Sequence, residues 1–483
     1  MSRNLIELLK QQQHSTPAAR PNPYLRLYGL RENPFPRQAV FQASMADPRQ
    51  NGTIYDQSFR HDQEKQFFQM FVQRPIAGEE PLTLGFLRLQ QQAGGRGNGK
   101  SAFLHQLMRR INEQDWSDWP TDPDSPDLVA LAIHVLPDPR NQRTFHELIR
   151  LVFATLANRG LLAEVDSRIR GAGLLAILAP AELNELQDLP AEQLNALLAD
   201  RAAFADLLDD KQHTMDGFVD AMGRLADAAS PGFSANPFGR RWLATECSLV
   251  ETWKQLQGAS SFKMQAEAAD WLVTGIMPIL MVAGYRRFYL LLDEFERIYS
   301  SQAPRKRDEF LTSLRHHFFE RDAAAVEQRF ISVLLTLHPS VDRLLKEHWQ
   351  RVGLERIAPL SQPHVERCSI PLGGGSSSQL DGLVAEYLRH FRATPEAGRS
   401  LAPFEAGALE PIYETARFFP GFTLLHARNV LEQAVAAGLN PPISRAFVES
   451  ALKNAPLPED GDDDEDEDGD DEGLKQSETR LSD

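Results

Sequence analysis

The stretch Gly94-Gly95-Arg96-Gly97-Asn98-Gly99-Lys100-Ser101 (GGRGNGKS) decides the fold. It matches the pattern G-x-x-x-x-G-K-[ST], in which glycines allow consecutive backbone N–H groups to point inward around an anion. The apolar segment Pro81–Gln90 before it predicts a buried strand, and Lys100–Asn112 after it has the period of an amphipathic helix. A strand, a glycine-rich turn and a helix N-terminus in this order favour a phosphate-binding loop over a plain glycine turn.

The residues of this loop have separate expected roles. Lys100 is expected to reach the β- and γ-phosphates of a nucleotide, and the Ser101 hydroxyl is expected to bind Mg²⁺. We expect the nucleotide to be ATP. The candidate nucleotide-binding residues are Gly94, Gly95, Arg96, Gly97, Asn98, Gly99, Lys100, Ser101 and Ala102.

A second motif, Phe288–Glu294 (FYLLLDE), places two acidic residues at the end of an apolar strand. Asp293 can hold the hydration shell of Mg²⁺, so Ser101 and Asp293 are the predicted metal ligands. Glu294 can polarise the attacking water as a general base. An acidic pair after an apolar run often marks only a strand end. The phosphate loop upstream favours the catalytic interpretation, with Lys100, Asp293 and Glu294 as catalytic residues.

The next strand candidate, Phe330–Leu337 (FISVLLTL), ends in polar residues. Thr336 is the first choice for a residue that senses the γ-phosphate or orients water, and His338 is the second. The alternative is a strand-exit residue without a role in catalysis.

An arginine finger requires a guanidinium that reaches the γ-phosphate bound by a neighbouring subunit. Arg343, Arg351 and Arg356 follow the fourth strand at suitable positions, and we select Arg351 as the candidate. For each of the three, the alternative is an ordinary surface arginine.

Strands that alternate with helices predict an α/β fold, with a parallel sheet flanked by helices. Lys100 and Asp293 lie 193 positions apart, which indicates a large helical insertion at about residues 161–255. Gly373–Ser378 (GGGSSS) is predicted to be a flexible linker to a C-terminal helical lid. The expected divisions are an N-terminal arm and entry segment (1–80), the ATPase core (81–372), the lid (373–455) and an acidic tail (456–483).

Composition narrows the class of protein. The chain has 483 residues and two cysteines, Cys247 and Cys368, so a disulfide framework or a zinc site is not expected. Met1–Arg20 is too polar for a signal peptide, and the apolar stretch Trp271–Gly284 is too short to cross a bilayer. We therefore expect a cytoplasmic protein that does not enter the membrane.

The net charge of −16 is concentrated at the C-terminus. Glu459–Asp483 holds 14 acidic residues against Lys475 and Arg480, a net of −12, which leaves −4 for residues 1–458. The like charges in such a segment repel one another, so we expect the segment to be disordered. It is either a solubility tail or a nucleic-acid mimic that competes for a basic surface.

The chain resembles the AAA+ superfamily over about residues 25–455. The resemblance rests on the two motifs, on the polar end of the fourth strand and on the C-terminal helices. Tyr28–Phe35 (YGLRENPF) is similar to the "FGL-x-x-x-PF" opening of secretion- and transposition-helper ATPases. These ATPases belong to the branch that also holds the origin-recognition initiators, and the signalling STAND ATPases are nearby. The resemblance implies that this segment lies near the adenine and that the chain forms a homo-oligomer. One departure concerns the lid: Leu424 stands three positions after Gly421, where the superfamily has a sensor arginine.

Two functions follow from the resemblance. The first is an assembly factor that acts on DNA or with a partner enzyme such as a nuclease or transposase, in antiphage defence or mobile-element biology. Short basic stretches, Arg305–Arg307 and Arg240-Arg241, would contact DNA, although a solvated helix face explains them more simply. The second is a STAND-like signalling switch that gates a partner protein without touching DNA.

Overall fold

The computed structural model describes residues 22–39, 41–42, 45–72, 82–89, 97–114, 129–138, 140–141, 143–257, 274–300, 302–320, 330–338, 342–394 and 400–454. Gly94, Gly95 and Arg96 of the glycine-rich loop lie outside these ranges, as does the acidic tail from Glu459 onward.

Five strands form one parallel sheet, and its strand order is β2-β3-β4-β1-β5. The strands are β1 (Leu84–Leu89), β2 (Ala130–Val135), β3 (Arg287–Leu292), β4 (Ile331–Leu337) and β5 (Ser369–Leu372). β1 lies between β4 and β5, so the segment that leads into the glycine-rich loop is internal to the sheet. The predicted α/β class is confirmed.

Helices cover both faces of the sheet. From the N-terminus they begin with α1 (Pro23–Tyr28), α2 (His61–Phe67), α3 (Lys100–Glu113) and α4 (Phe145–Asn158). Alternate strand residues point to opposite faces: Tyr289 and Leu291 pack in one buried cluster with α3, whereas Leu290 and Leu292 pack in another with α4. Because both faces are buried, the strands are mostly apolar, as expected for a parallel sheet.

Within the described residues between β2 and β3, seven further helices follow α4 before the last one, at 274–282. They are α5 (Leu161–Ile177), α6 (Pro180–Gln187), α7 (Ala191–Ala199), α8 (Arg201–Asp210), α9 (Met215–Ala229), α10 (Pro237–Ala244) and α11 (Leu249–Gln257). Buried Asp166 on α5 accepts hydrogen bonds from the Ser248 hydroxyl (2.7 Å) and the Leu249 amide (2.6 Å) at the start of α11. This carboxylate joins the first and last of the seven helices.

The chain then returns to the sheet through α12 (274–282), and α13 (Phe295–Ser300), α14 (Pro304–Arg315) and α15 (Asp342–Arg351) surround β4. Short π-helical turns extend α2 and α14, at Phe68–Val72 and His316–Glu320.

The C-terminal helices are α16 (Ser377–Phe391), α17 (Glu410–Thr415), α18 (Pro420–Ala436) and α19 (Arg445–Asn454). They share a separate buried cluster with N-terminal residues such as Phe35 and Phe59. The segment Gly373–Ser378 differs from the predicted flexible linker. Its last residues form the start of α16, where Ser376 makes a capping box with Gln379, and the Gly375 amide donates to the Phe418 carbonyl over 3.0 Å.

No helix within the described residues is both long enough and apolar enough to cross a bilayer.

Candidate nucleotide-binding site

The predicted site residues meet at the carboxyl edge of the sheet. Asp293 directly follows β3, and Thr336 is the penultimate residue of β4. β4 pairs with both β3 and β1, with Leu335 opposite Leu292 and Thr336 opposite Leu87. Since β1 leads to the glycine-rich loop, the strand order brings the loop, the polar end of β4 and the acidic residues after β3 to one edge.

The described part of the glycine-rich loop has the backbone that its sequence predicts. Gly97 and Gly99 have φ angles of +84° and +74°, in the left-handed region that residues with a Cβ rarely adopt. α3 begins at Lys100, and the Phe103 amide donates to the Gly99 carbonyl over 2.9 Å. Ser101 and Ala102 follow in the first helical turn, where unpaired amides and the helix dipole favour an anion.

The strongest contact in the site joins the two sequence motifs. The Ser101 hydroxyl donates to Asp293 Oδ2 over 2.5 Å, although the two residues are 192 positions apart. Asp293 is completely buried, and its Oδ1 accepts the Glu294 amide over 2.9 Å. A hydroxyl and a carboxylate that converge in this way fit Mg²⁺, which takes few protein oxygens and keeps several water ligands.

His134 is a site residue that the sequence analysis did not select. It lies on β2, is 6% exposed, and its Nε2 is 3.5 Å from Asp293 Oδ2. Burial by itself would raise the pKa of Asp293, but the nearby His134, with Lys100 and Ser101, outweighs it and lowers the pKa to about 2. Asp293 therefore stays ionised, as a metal ligand requires. The sequence signal was a single imidazole within the apolar run Leu128–Leu136.

Glu294 has an unusual backbone for a residue with a side chain. Its φ is +48°, and its side chain is 24% exposed and lies 3.0 Å from the guanidinium of Arg297. The sharp turn separates Glu294 from Asp293, so that one carboxylate is buried and the other is partly open to solvent. An accessible carboxylate beside a buried metal ligand can orient a water molecule. Its role as the general base stays a prediction.

Glu296 is a third carboxylate at the site and was also missed. Its Oε1 lies 3.7 Å from Lys100 Nζ, and both side chains are 11% exposed. Burial raises the pKa of Glu296, with smaller contributions from Asp293 and Glu294, while Lys100 acts in the opposite direction. The available signal was an acidic residue three positions after Asp293, on the first turn of α13.

Thr336 is completely buried, and its hydroxyl has no hydrogen-bond partner among the described residues. An unpaired buried hydroxyl destabilises the folded state unless a ligand or a water molecule forms a hydrogen bond with it. This placement agrees with a role at the γ-phosphate, which the structure leaves as a prediction. His338 lies just beyond the end of β4 and is partly exposed.

Arg60 reaches the loop from a short 3₁₀ turn at Gln57–Arg60, before α2. Its buried guanidinium donates to the Asn98 carbonyl (2.8 Å) and to the Gly373 carbonyl after β5 (2.9 Å). Burial lowers the pKa of Arg60 to about 10. Arg60 therefore ties the glycine-rich loop to the segment that leads into the C-terminal helices. No local sequence pattern predicts this contact.

The N-terminus of α18 lies directly on the glycine-rich loop. The Gly421 amide donates to the Gly97 carbonyl over 2.8 Å, and a Cβ at Gly421 would lie 2.7 Å from Gly97 Cα. Leu424, at the position of the missing sensor arginine, is buried in the apolar cluster of the C-terminal helices. Arg428 instead donates to the Phe35 carbonyl over 2.8 Å, and Arg417 is exposed at the surface.

The finger candidate Arg351 pairs with two carboxylates of its own chain. Arg351 ends α15 and is half-exposed, with its guanidinium 2.9 Å from Asp308 and 2.6 Å from Glu347 of the same chain. Arg356 is exposed, and the side chain of Arg343 lies outside the described residues. A finger acts on a neighbouring subunit, so the role of Arg351 stays a prediction.

The fold is α/β and is consistent with the P-loop NTPase type: a five-stranded parallel sheet, a helical insertion and C-terminal helices that contact the glycine-rich loop. No protein-family model matches the sequence. No curated protein matches it either. Among solved structures, the chain is similar to the Aeropyrum pernix ORC2 protein in its ADPNP–ADP complexes. The identity is 13%, the alignment covers 82% of this chain and 67% of that chain, and the TM-score is 0.41.

Proposed function

We propose that this protein is a Mg²⁺-dependent ATPase of the AAA+ type. The observation that carries the proposal is the 2.5 Å contact between Ser101 and Asp293, because it joins the residue after the phosphate-loop lysine to the acidic strand end. Bound Mg²⁺ would neutralise charge on the β- and γ-phosphates. Ser101 and Asp293 would hold the ion, Lys100 would bind the terminal phosphates, and Glu294 would orient the attacking water.

The test separates binding from hydrolysis. Purified protein should bind ATP with Mg²⁺ in calorimetry and release phosphate, and Lys100→Ala should lose binding. Glu294→Gln should bind ATP as the parent does but release phosphate at least ~100-fold more slowly, since a positioned base contributes about 10²–10⁴ to the rate. Turnover by Glu294→Gln at the parent's rate would show that Glu294 is not the base.

We further propose that ATP controls the assembly of this chain into a homo-oligomer that acts with a partner enzyme. Arg351, which is half-exposed at the end of α15, would leave its ion pairs with Asp308 and Glu347 and complete the site of the neighbouring subunit. Light scattering of Glu294→Gln should show a larger mass with ATP than with ADP. Arg351→Ala should bind ATP normally but hydrolyse it at least ~10³-fold more slowly. A monomer under all conditions would refute this part.

Local charge pairing weakens the case for a DNA contact at Arg305–Arg307. In the basic stretch, Arg305 and Lys306 both pair with Glu309, at 3.1 and 2.7 Å, and Arg307 donates to backbone carbonyls of α13. These cations are therefore partly compensated within the chain. This pairing supports the alternative of a STAND-like switch that gates a partner protein. The DNA alternative predicts affinity that falls steeply with salt. Absence of binding at low salt, with and without ATP, would remove it.

A further inference from the structure

The ion pair between Lys100 and Glu296 is a feature that the proposed hydrolysis does not use. Lys100 is the first residue of α3, and Glu296 is the second residue of α13, so the pair bridges two helices across the site. Nζ and Oε1 are 3.7 Å apart, and only 11% of each side chain is exposed. Water and salt screen such a pair weakly. Removing either charge would therefore leave the other one buried and uncompensated.

The neighbouring charges already have other partners. Asp293 at the end of β3 is engaged by Ser101 of α3 and His134 of β2. Glu294 pairs with Arg297, which lies on α13 as Glu296 does. Glu296 is therefore the carboxylate that faces the phosphate-loop lysine in the part of the chain that the structure describes.

We propose that Glu296 is the counter-ion of Lys100 in the nucleotide-free protein, and that the terminal phosphates of ATP must displace it. This inference rests on the proposed ATPase function. When Lys100 turns to a phosphate, Glu296 loses its partner and stands close to the incoming negative charge. The carboxylate of Glu296 therefore opposes nucleotide binding and keeps the empty site closed to weaker anions. It is a positioning residue that sets affinity, not a group that reacts.

The first test is Glu296→Gln, which keeps the size of the side chain and removes its charge. We expect ATP to bind about tenfold more tightly, which corresponds to about 1.4 kcal/mol, and KM to fall so that kcat/KM rises. The matched control is Glu309→Gln on α14, an exposed carboxylate that also pairs with a lysine, Lys306, at 2.7 Å. It should bind ATP as the parent does. Equal or weaker ATP binding by Glu296→Gln would overturn the proposal, as would a fall in kcat/KM.

The second test measures the pair without nucleotide. Lys100→Met leaves a buried carboxylate without its cation and should lower the melting temperature by several degrees. Adding Glu296→Gln to Lys100→Met should restore most of that loss, and absence of rescue would contradict the pairing. A parent protein that binds no ATP would overturn both the proposed function and the displacement of Glu296. If the parent binds no ATP but the double variant restores the melting temperature, the pairing of Lys100 with Glu296 is correct and the proposed function is wrong.

Discussion

Arg60 provides the most direct test of how the phosphate loop is held in place. Arg60 is 3% exposed, and its guanidinium donates to two backbone carbonyls, of Asn98 and Gly373, at 2.8 and 2.9 Å. Arg60→Met keeps an apolar stem and removes both bonds. Each hydrogen bond from a charged group contributes about 1.5–3 kcal/mol, and its loss leaves a carbonyl unpaired. Removing a buried charge offsets part of this loss, so we expect a net destabilisation of about 3 kcal/mol.

A loss of this size should lower the melting temperature by roughly 5 °C if the core, of about 290 residues (81–372), unfolds as one unit. Because the Asn98 carbonyl belongs to the phosphate loop, ATP affinity in calorimetry should also fall, by about tenfold. Arg60→Lys should give an intermediate result, since an ammonium lacks the planar fork that spans two acceptors. The control is Arg109→Met, which changes an exposed arginine on α3 that pairs with Glu113 at 3.1 Å. If Arg60→Met and Arg109→Met melt at the same temperature and bind ATP equally, the reasoning is refuted.

Three further predictions concern the lid contact, the metal and the thiols. Gly421→Ala should weaken ATP binding measured by calorimetry, because its Cβ would lie 2.7–2.8 Å from backbone atoms of the phosphate loop. The control is Gly223→Ala within α9, where the new Cβ would meet nothing closer than 3.7 Å. This variant should leave ATP binding unchanged and be neutral or slightly stabilising to the fold. Asp293→Asn should bind ATP equally with Mg²⁺ and with EDTA, whereas the parent should lose affinity in EDTA; a metal response retained by the variant would contradict the ligand assignment. Cys247 and Cys368 are 2% and 1% exposed, and burial raises the pKa of both thiols, that of Cys368 to about 12. A thiol reagent at pH 8 should therefore label neither until denaturant is added, and rapid labelling of the native protein would contradict this burial.

The sequence predicts the parts of the site whose chemistry lies in contiguous residues at strand ends. GGRGNGKS and the Asp-Glu pair each follow a recognisable strand, and parallel strands bring their carboxyl ends to one edge. Thr336 could be selected for the same reason, because it stands at the end of the next strand. The helical insertion was visible from the 193 positions between Lys100 and Asp293. These predictions needed only chain order and residue type.

The residues that were missed depend on which elements become neighbours in space. His134 contacts Asp293 because β2 pairs with β3 in a register that places His134 opposite Leu291. This register cannot be deduced from the sequence of β2 alone. Glu296 reaches Lys100 only because the chain turns sharply at Glu294 and begins α13. Arg60 bonds to carbonyls 38 and 313 positions away. No periodicity within a single element encodes contacts of this kind.

The phosphate loop is connected on two sides to the C-terminal helices. Gly421 at the start of α18 donates to the Gly97 carbonyl, and Arg60 joins the Asn98 carbonyl to Gly373, just before α16. A rotation of these helices that breaks the contact from Gly421 frees a carbonyl of the loop, whereas Arg60 anchors the segment before α16. Leu424, three positions after Gly421, is buried in the apolar cluster of these helices. Among the described residues, the hydrogen bonds from Gly421 and Arg60 to the loop end on its backbone carbonyls, those of Gly97 and Asn98.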